Sequence, residues 1–306
     1  MAPNRGRCVA EVMQDQAEGL RRLLSDDFVR IVTLTSGKRG VGKTSALINL
    51  AVALAKRGKQ VMILDEHQGQ HSVVGMLGLT PYYNLTHVLR REHSLEQVML
   101  SGPEGIGVVP AGKSVQALAN ISAADLEWLV RSFAQLAHPV DVVLVDAVAG
   151  VASNVLPLSL AAQELVVVVD PQPSSMTDAY ALIKVLNQGF ARRNFHIVVN
   201  RVASPEEAGV VFNNMAEVAR RFLKVSLDFM GFVPQDEKMH RATQLGRTVV
   251  DAFPATIAAQ AFRNLAEKVE QWPRPGGEQG QLEAFMQRLV QSSRATAGEP
   301  GRPGRA

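Results

Sequence analysis

Three glycines, two lysines and a hydroxyl fall within the eight residues Gly37-Lys38-Arg39-Gly40-Val41-Gly42-Lys43-Thr44. Glycines at this density let successive backbone amides turn toward one point, and a helix beginning at the end of the run adds its partial positive charge. The chemistry served is phosphate binding. Amides from Gly37 to Ser45 would cradle phosphate oxygens, Lys43 would neutralise the outer phosphates, and Thr44 would offer its hydroxyl to Mg²⁺. Asp146, closing the apolar run Val142-Val143-Leu144-Val145, is placed as the acidic partner of that cation through water. A coincidental glycine turn is the alternative, and the strand before, helix after and later acid argue against it.

The positioning elements can be read from periodicity. Apolar runs of strand length alternate with longer helical patterns: Arg30 to Leu34, a helix from Lys43 to Lys56, then Val61 to Leu64. Further strands are expected at Val108 to Val109, Val142 to Val145, Leu165 to Val169, His196 to Val199 and Leu227 to Val233. Helices are expected at Ala123 to Leu136, Asp178 to Ala191, Phe212 to Leu223 and Ile257 to Val269. This rhythm predicts an α/β fold: one P-loop domain whose mostly parallel sheet is covered by helices on both faces. Short amphipathic helices flank it. Residues 1–27 form an N-terminal segment with Val12, Met13, Ala17, Leu20, Leu23 and Leu24 at helical spacing, and 28–272 form the domain. Pro273 to Gly277 begins a linker over 273–280, a detached amphipathic helix follows at 281–293, and 294–306 is expected to be a disordered tail.

Composition excludes several classes. One cysteine, Cys8, allows no disulfide framework and no thiolate cluster, which fits a reducing cytoplasm. The N-terminus lacks an apolar leader core, and no run reaches the ~18 apolar residues of a spanning helix. A formal charge of +3 is too small to argue for specific nucleic acid binding.

Lys38, directly after the first glycine, makes the loop resemble the deviant Walker A signature of the MinD, ParA and nitrogenase iron protein group. The resemblance covers roughly residues 28 to 272. It implies ATP or ADP with Mg²⁺ as cofactor, and an ATP-dependent homodimer in which Lys38 reaches the partner's nucleotide. It also implies a switch acid at Asp65, serving catalysis and the cation beside Thr44 and Asp146, and adenine-side elements at Asn200, Arg201 and Pro234. The iron-sulfur branches need cysteines that this chain lacks. Residues 149 to 156 and Pro171 to Lys184 are similar to the FlhG/FleN branch, which controls flagellar number and position. Asp15-Gln16-Ala17-Glu18-Gly19-Leu20-Arg21 resembles that branch's activator motif. The resemblance implies that Asp15, Gln16, Leu20 and Arg21 engage an FlhF-type GTPase, with Gln16 approaching its nucleotide, and that a flagellar transcription regulator is a further partner. Periodicity alone would equally let this helix pack on its own domain. For the C-terminal helix the resemblance implies reversible contact with the inner face of the cell membrane through Leu282, Phe285, Met286 and Leu289. Packing back over an apolar groove and contact with a partner remain open beside it.

Three positions depart from the family pattern. Arg39 replaces a glycine where loops approach across the dimer. His67 stands where the family has a second aspartate, two residues after Asp65, and a neutral imidazole cannot reproduce a carboxylate's field. Ala147-Val148 replaces Thr-Gly in the second switch, removing a hydroxyl and stiffening the backbone. These changes leave phosphate binding intact and point to slow or absent hydrolysis. Glu66 offers a displaced carboxylate, although a one-residue shift on a strand reverses side-chain direction. His67 and His71, four apart, are assigned no metal, and Tyr82, Tyr83 and residues 93 to 99 are read as structural or partner-facing. Three functions compete: a cycling regulatory ATPase, a non-hydrolysing nucleotide-stabilised binding module, and a ParA-like DNA-partition ATPase with salt-dependent DNA binding.

Overall fold

The computed structural model describes residues 29–112, 114–136, 140–152, 155–273 and 282–297. Among the described residues eight strands form one sheet: β1 Arg30–Thr35, β2 Val61–Asp65, β3 Leu100–Ser101, β4 Gly107–Pro110, β5 Val142–Asp146, β6 Glu164–Val169, β7 Asn194–Val202 and β8 Ser226–Pro234. Their spatial order is β3-β4-β2-β5-β1-β6-β7-β8, and only the β3–β4 pairing is antiparallel. The uniformly apolar central runs are buried on both faces, as parallel strands covered by helices must be. Alternation decides the face: Val142 and Leu144 join the core beneath the helices Lys43–Ala55 and Ile257–Gln271, while Val143 and Val145 join the opposite core.

All the expected strands are present; the helices expected from Lys43, Ala123 and Ile257 begin there, and two others start earlier than their apolar periodicity alone indicates. The expected Asp178 helix begins at Pro173, whose fixed φ suits a first turn, and runs to Phe190. The expected Phe212 helix begins at Pro205, with Ser204 accepting a hydrogen bond from the Glu207 amide. The edge strand β3 and the short helices between β2 and β4 carried too few periodic residues to be read in advance.

The C-terminal helix corrects the expectation of a detached element. It spans Leu282–Ala297, so it also takes in residues assigned to the tail. Phe285, Met286, Leu289 and Val290 are buried in the same core as Ile31, Leu64 and Val145, and Leu282 packs partly buried against it. Arg288 Nε donates to the Ala161 carbonyl at 3.1 Å and Arg294 to that of Ile121 at 2.7 Å. The residues read as lipid-facing, Leu282, Phe285, Met286 and Leu289, therefore face protein. An apolar stripe buries itself wherever a matching groove exists, and the helices Pro157–Ala161 and Ala123–Ala134 supply one. No helix among the described residues is long and apolar enough to cross a membrane. The segment 1–27, with Asp15, Gln16, Leu20 and Arg21, lies outside the described residues, as does most of the linker.

Candidate functional site

Register brings the chemistry together. β1 lies between β5 and β6 at the point where the strand order reverses, the place where open parallel sheets open a crevice beyond their carboxyl ends. Asp65 pairs with Asp146 across β2 and β5, and Leu34 of β1 pairs with Asp146 from the other side. The loop from Ser36 to Gly42 leaves β1 at this end and enters the helix Lys43–Ala55.

Local sequence makes the loop's shape. Gly40 and Gly42 have φ of 88° and 84°, a left-handed conformation costly to side-chain-bearing residues. Gly37 is needed for space, since a Cβ there would lie 2.1 Å from the Asp178 carbonyl carbon. Val41 turns its side chain into the core, while its carbonyl accepts Asn200 Nδ2 at 2.7 Å. Arg201, itself at a φ of 60°, donates Nη1 to the Gly40 carbonyl at 2.7 Å. Asn200 and Arg201, expected on the adenine side, thus brace the loop's carbonyls and leave its amides to the crevice. Pro234 closes β8 opposite Val202.

Lys43 and Thr44 both reach Asp146. The ammonium contacts Oδ1 and the hydroxyl donates to Oδ2 at 2.7 Å, with Lys43 and Asp146 almost wholly buried. Burial opposes charge on Asp146, but Lys43 and His67 beside it hold its carboxyl below the usual range. Asp65 has no ammonium beside it, and His67 at 4.0 Å offsets its charge only weakly. Burial and the neighbouring Asp146 push it up to about 6, while the amides of His67 (3.0 Å) and Val74 (3.3 Å) bond its two oxygens.

Glu66 and His67 divide to opposite sides. Glu66 is buried, accepts the Val148 amide of the second switch at 2.7 Å, and is pushed up to about 7 by burial. Its carboxylate therefore ties the two switches together and does not stand in for the missing aspartate. His67, one residue on, puts Nδ1 3.1 Å from Asp146 Oδ2 and 4.0 Å from Asp65 Oδ1. This convergence was not anticipated; the spacing of His67 two residues after Asp65, on the same side of an extended chain, was its only signal.

The exposed crest carries Arg39 and Gly40, and Lys38 Nζ donates to Ser174 Oγ at 2.8 Å. Lys38 thus has a partner within its own chain. Ser45 sits in the first helical turn, its carbonyl accepting Asn49 Nδ2 at 2.8 Å. The second switch is held near the loop by the Gly150 amide, which donates to the Ser36 carbonyl at 3.0 Å. The set is a cradle of free amides with one ammonium, one hydroxyl and two carboxylates, which suits a phosphate chain and its divalent cation.

Comparison with known proteins agrees. The family model CbiA, described as the CobQ/CobB/MinD/ParA nucleotide binding domain, matches residues 32–249. The chain is 41% identical over 263 residues to antiactivator FleN of Pseudomonas aeruginosa, covering 86% of this chain and 94% of that one. It is 26% identical over 267 residues to the flagellum site-determining protein YlxH of Helicobacter pylori, covering 85% and 90%. Among solved structures, the septum site-determining protein MinD complexed with Mg-ADP from Pyrococcus horikoshii superposes with a TM-score of 0.60 at 25% identity, covering 79% and 96%.

Proposed function

This chain belongs to the CobQ/CobB/MinD/ParA nucleotide-binding family, and from that premise we propose that it is an ATP-binding regulator of flagellar number and placement whose hydrolysis is slow or lost. The observation that carries the nucleotide part is the convergence of Lys43, Thr44 and Asp146 beneath a loop whose carbonyls are braced by Asn200 and Arg201. The flagellar part rests on likeness to an antiactivator and to a flagellum site-determining protein. Loop amides, Lys43 and Ser45 would hold the phosphates, and Thr44, Asp65 and Asp146 would hold Mg²⁺, as the Mg-ADP complex of the Pyrococcus horikoshii protein suggests. A bound nucleotide would supply concentrated negative charge between the loop and the switches, to which Lys43 and the loop amides would respond.

Slow hydrolysis follows from three local features. Position 67 lacks the carboxylate that would polarise an attacking water. Val148 is β-branched, and its amide is already engaged by Glu66 at 2.7 Å, so the second switch has less freedom to rearrange. Arg39 sits on the crest where a second copy would approach, which disfavours the ATP-dependent homodimer in which Lys38 would act. The partner we assign to Asp15, Gln16, Leu20 and Arg21 is an FlhF-type GTPase, with a flagellar transcription regulator as the second.

Phosphate release by the parent against Lys43→Ala, with ADP and ATP titrations read together with solution mass, tests this reading. Expected are saturable nucleotide binding in the parent alone, a release rate near that of the variant, and no doubling of mass. Rapid turnover would return the chain to the cycling regulatory ATPases; ATP-dependent binding to nonspecific DNA at low salt would favour a partition role.

A further inference from the structure

His67 is the one member of the site with no assigned task, and its surroundings supply one. Asp65, His67 and Asp146 bring a carboxylate oxygen, an imidazole nitrogen and a second carboxylate oxygen within 4.8 Å of one another. The edges at His67 Nδ1 are 3.1 Å to Asp146 and 4.0 Å to Asp65. Ligand atoms bound at ~2.1 Å to one ion stand ~3.0 Å apart when adjacent and ~4.2 Å when opposite, so both edges lie within the span of a single coordination shell. The imidazole nitrogen is buried and faces both carboxylates, Asp146 at 3.1 Å, without a well-aligned hydrogen bond to either. A buried ring nitrogen facing two carboxylates needs a proton or a cation between them, and a cation would satisfy all three groups at once.

The surrounding bonds fix the ring and its neighbours. The His67 amide donates to Asp65 Oδ1 at 3.0 Å, and the Val74 amide donates to Oδ2, so the turn after β2 is closed on the acid that would share the ion. Glu66 points away to Val148, leaving residues 65 and 67 on one side. Thr44 Oγ1, 2.7 Å from Asp146 Oδ2, adds a third oxygen, the fourth candidate ligand atom, at the same place.

We propose that His67 is a direct metal ligand and that, with Asp65 and Asp146, it makes the cation site select a borderline first-row divalent ion such as Mn²⁺ or Co²⁺ over Mg²⁺. Mg²⁺ demands oxygen ligands and gains little from imidazole, whereas the later ions bind nitrogen readily. An all-carboxylate set carries one more negative charge and favours the hard ion. The histidine is therefore a change of metal preference as well as the loss of a catalytic acid. The inference rests on the nucleotide-site reading, since the ion would be the one accompanying the phosphates.

The test is electron spin-echo spectroscopy of Mn²⁺ bound with ADP, together with Mg²⁺ competition, in the parent, His67→Asp and His67→Ala. Nitrogen-14 coupling to Mn²⁺ is expected in the parent and absent from both variants, with the Mn²⁺-over-Mg²⁺ preference falling at least tenfold in His67→Asp. ADP binding in all three proteins without nitrogen coupling in the parent, or with equal ion preference, overturns the inference and leaves the nucleotide reading standing. Failure of ADP to bind any of them overturns both.

Discussion

Phe285→Ala and Leu289→Ala, singly and together, test whether the C-terminal helix is a structural part of the domain. Both side chains are essentially inaccessible, at 1% and 0% exposure, within the core that contains Ile31, Leu64 and Val145. Truncating such residues costs about 3–5 kcal/mol for Phe and about 2–5 kcal/mol for Leu, because a cavity adds to the lost transfer energy. They lie four apart on one helix face and would share that cavity, so the double variant should lose less than the sum. With a urea dependence of about 3 kcal/mol per molar, each single change moves the unfolding midpoint down by roughly 1 M. A helix standing free in solvent would show shifts within about 0.5 kcal/mol, below roughly 0.2 M. Trp128, on a helix packed against the C-terminal one, provides a fluorescence readout. A double variant with the parental midpoint would refute the docked arrangement and reopen the site to lipid or to a partner.

Three further outcomes follow from the geometry. Gly37→Ala should lower the melting temperature by several degrees while Gly40→Ala has a smaller effect, since the first Cβ meets the Asp178 backbone and the second meets nothing within 4 Å; equal shifts would argue against the close approach. Asn200→Ala leaves the Val41 carbonyl without its bond and, at about 1–3 kcal/mol, should weaken ADP binding roughly tenfold or more; calorimetry showing parental affinity would remove Asn200 from the loop's support. His196 lies 3.0 Å from both Glu164 and Asp228; burial works against its charge, but the two carboxylates raise its pKa above 6.5. Its contribution is therefore full below pH 6.5 and is lost as pH rises through the folded value, and His196→Gln should flatten that decline in the urea midpoint; an identical slope in the variant would show that other groups set it.

Short-range physics was enough for the phosphate loop and the sheet. Gly40 and Gly42 announce positive φ, Lys43 and Thr44 announce the ligand, and strands such as Leu165 to Val169 announce burial on both faces, because each signal depends on neighbours a few residues away. The helix starts at Pro173 and at the Ser204–Pro205 pair are equally local signals, but apolar periodicity alone does not reveal them. Long-range pairing decided the rest. His67 reads in sequence as a lost carboxylate, and only the register that sets Asp65 beside Asp146 makes it the third corner of a cation site. Asn200 and Arg201 became loop braces because β7 ends beside Val41 and Gly40. Leu282 to Val290 has one periodicity that serves lipid, partner or core alike; the groove beside Pro157–Ala161 chose the core, since the amphipathic pattern fixes which face is buried but not what buries it.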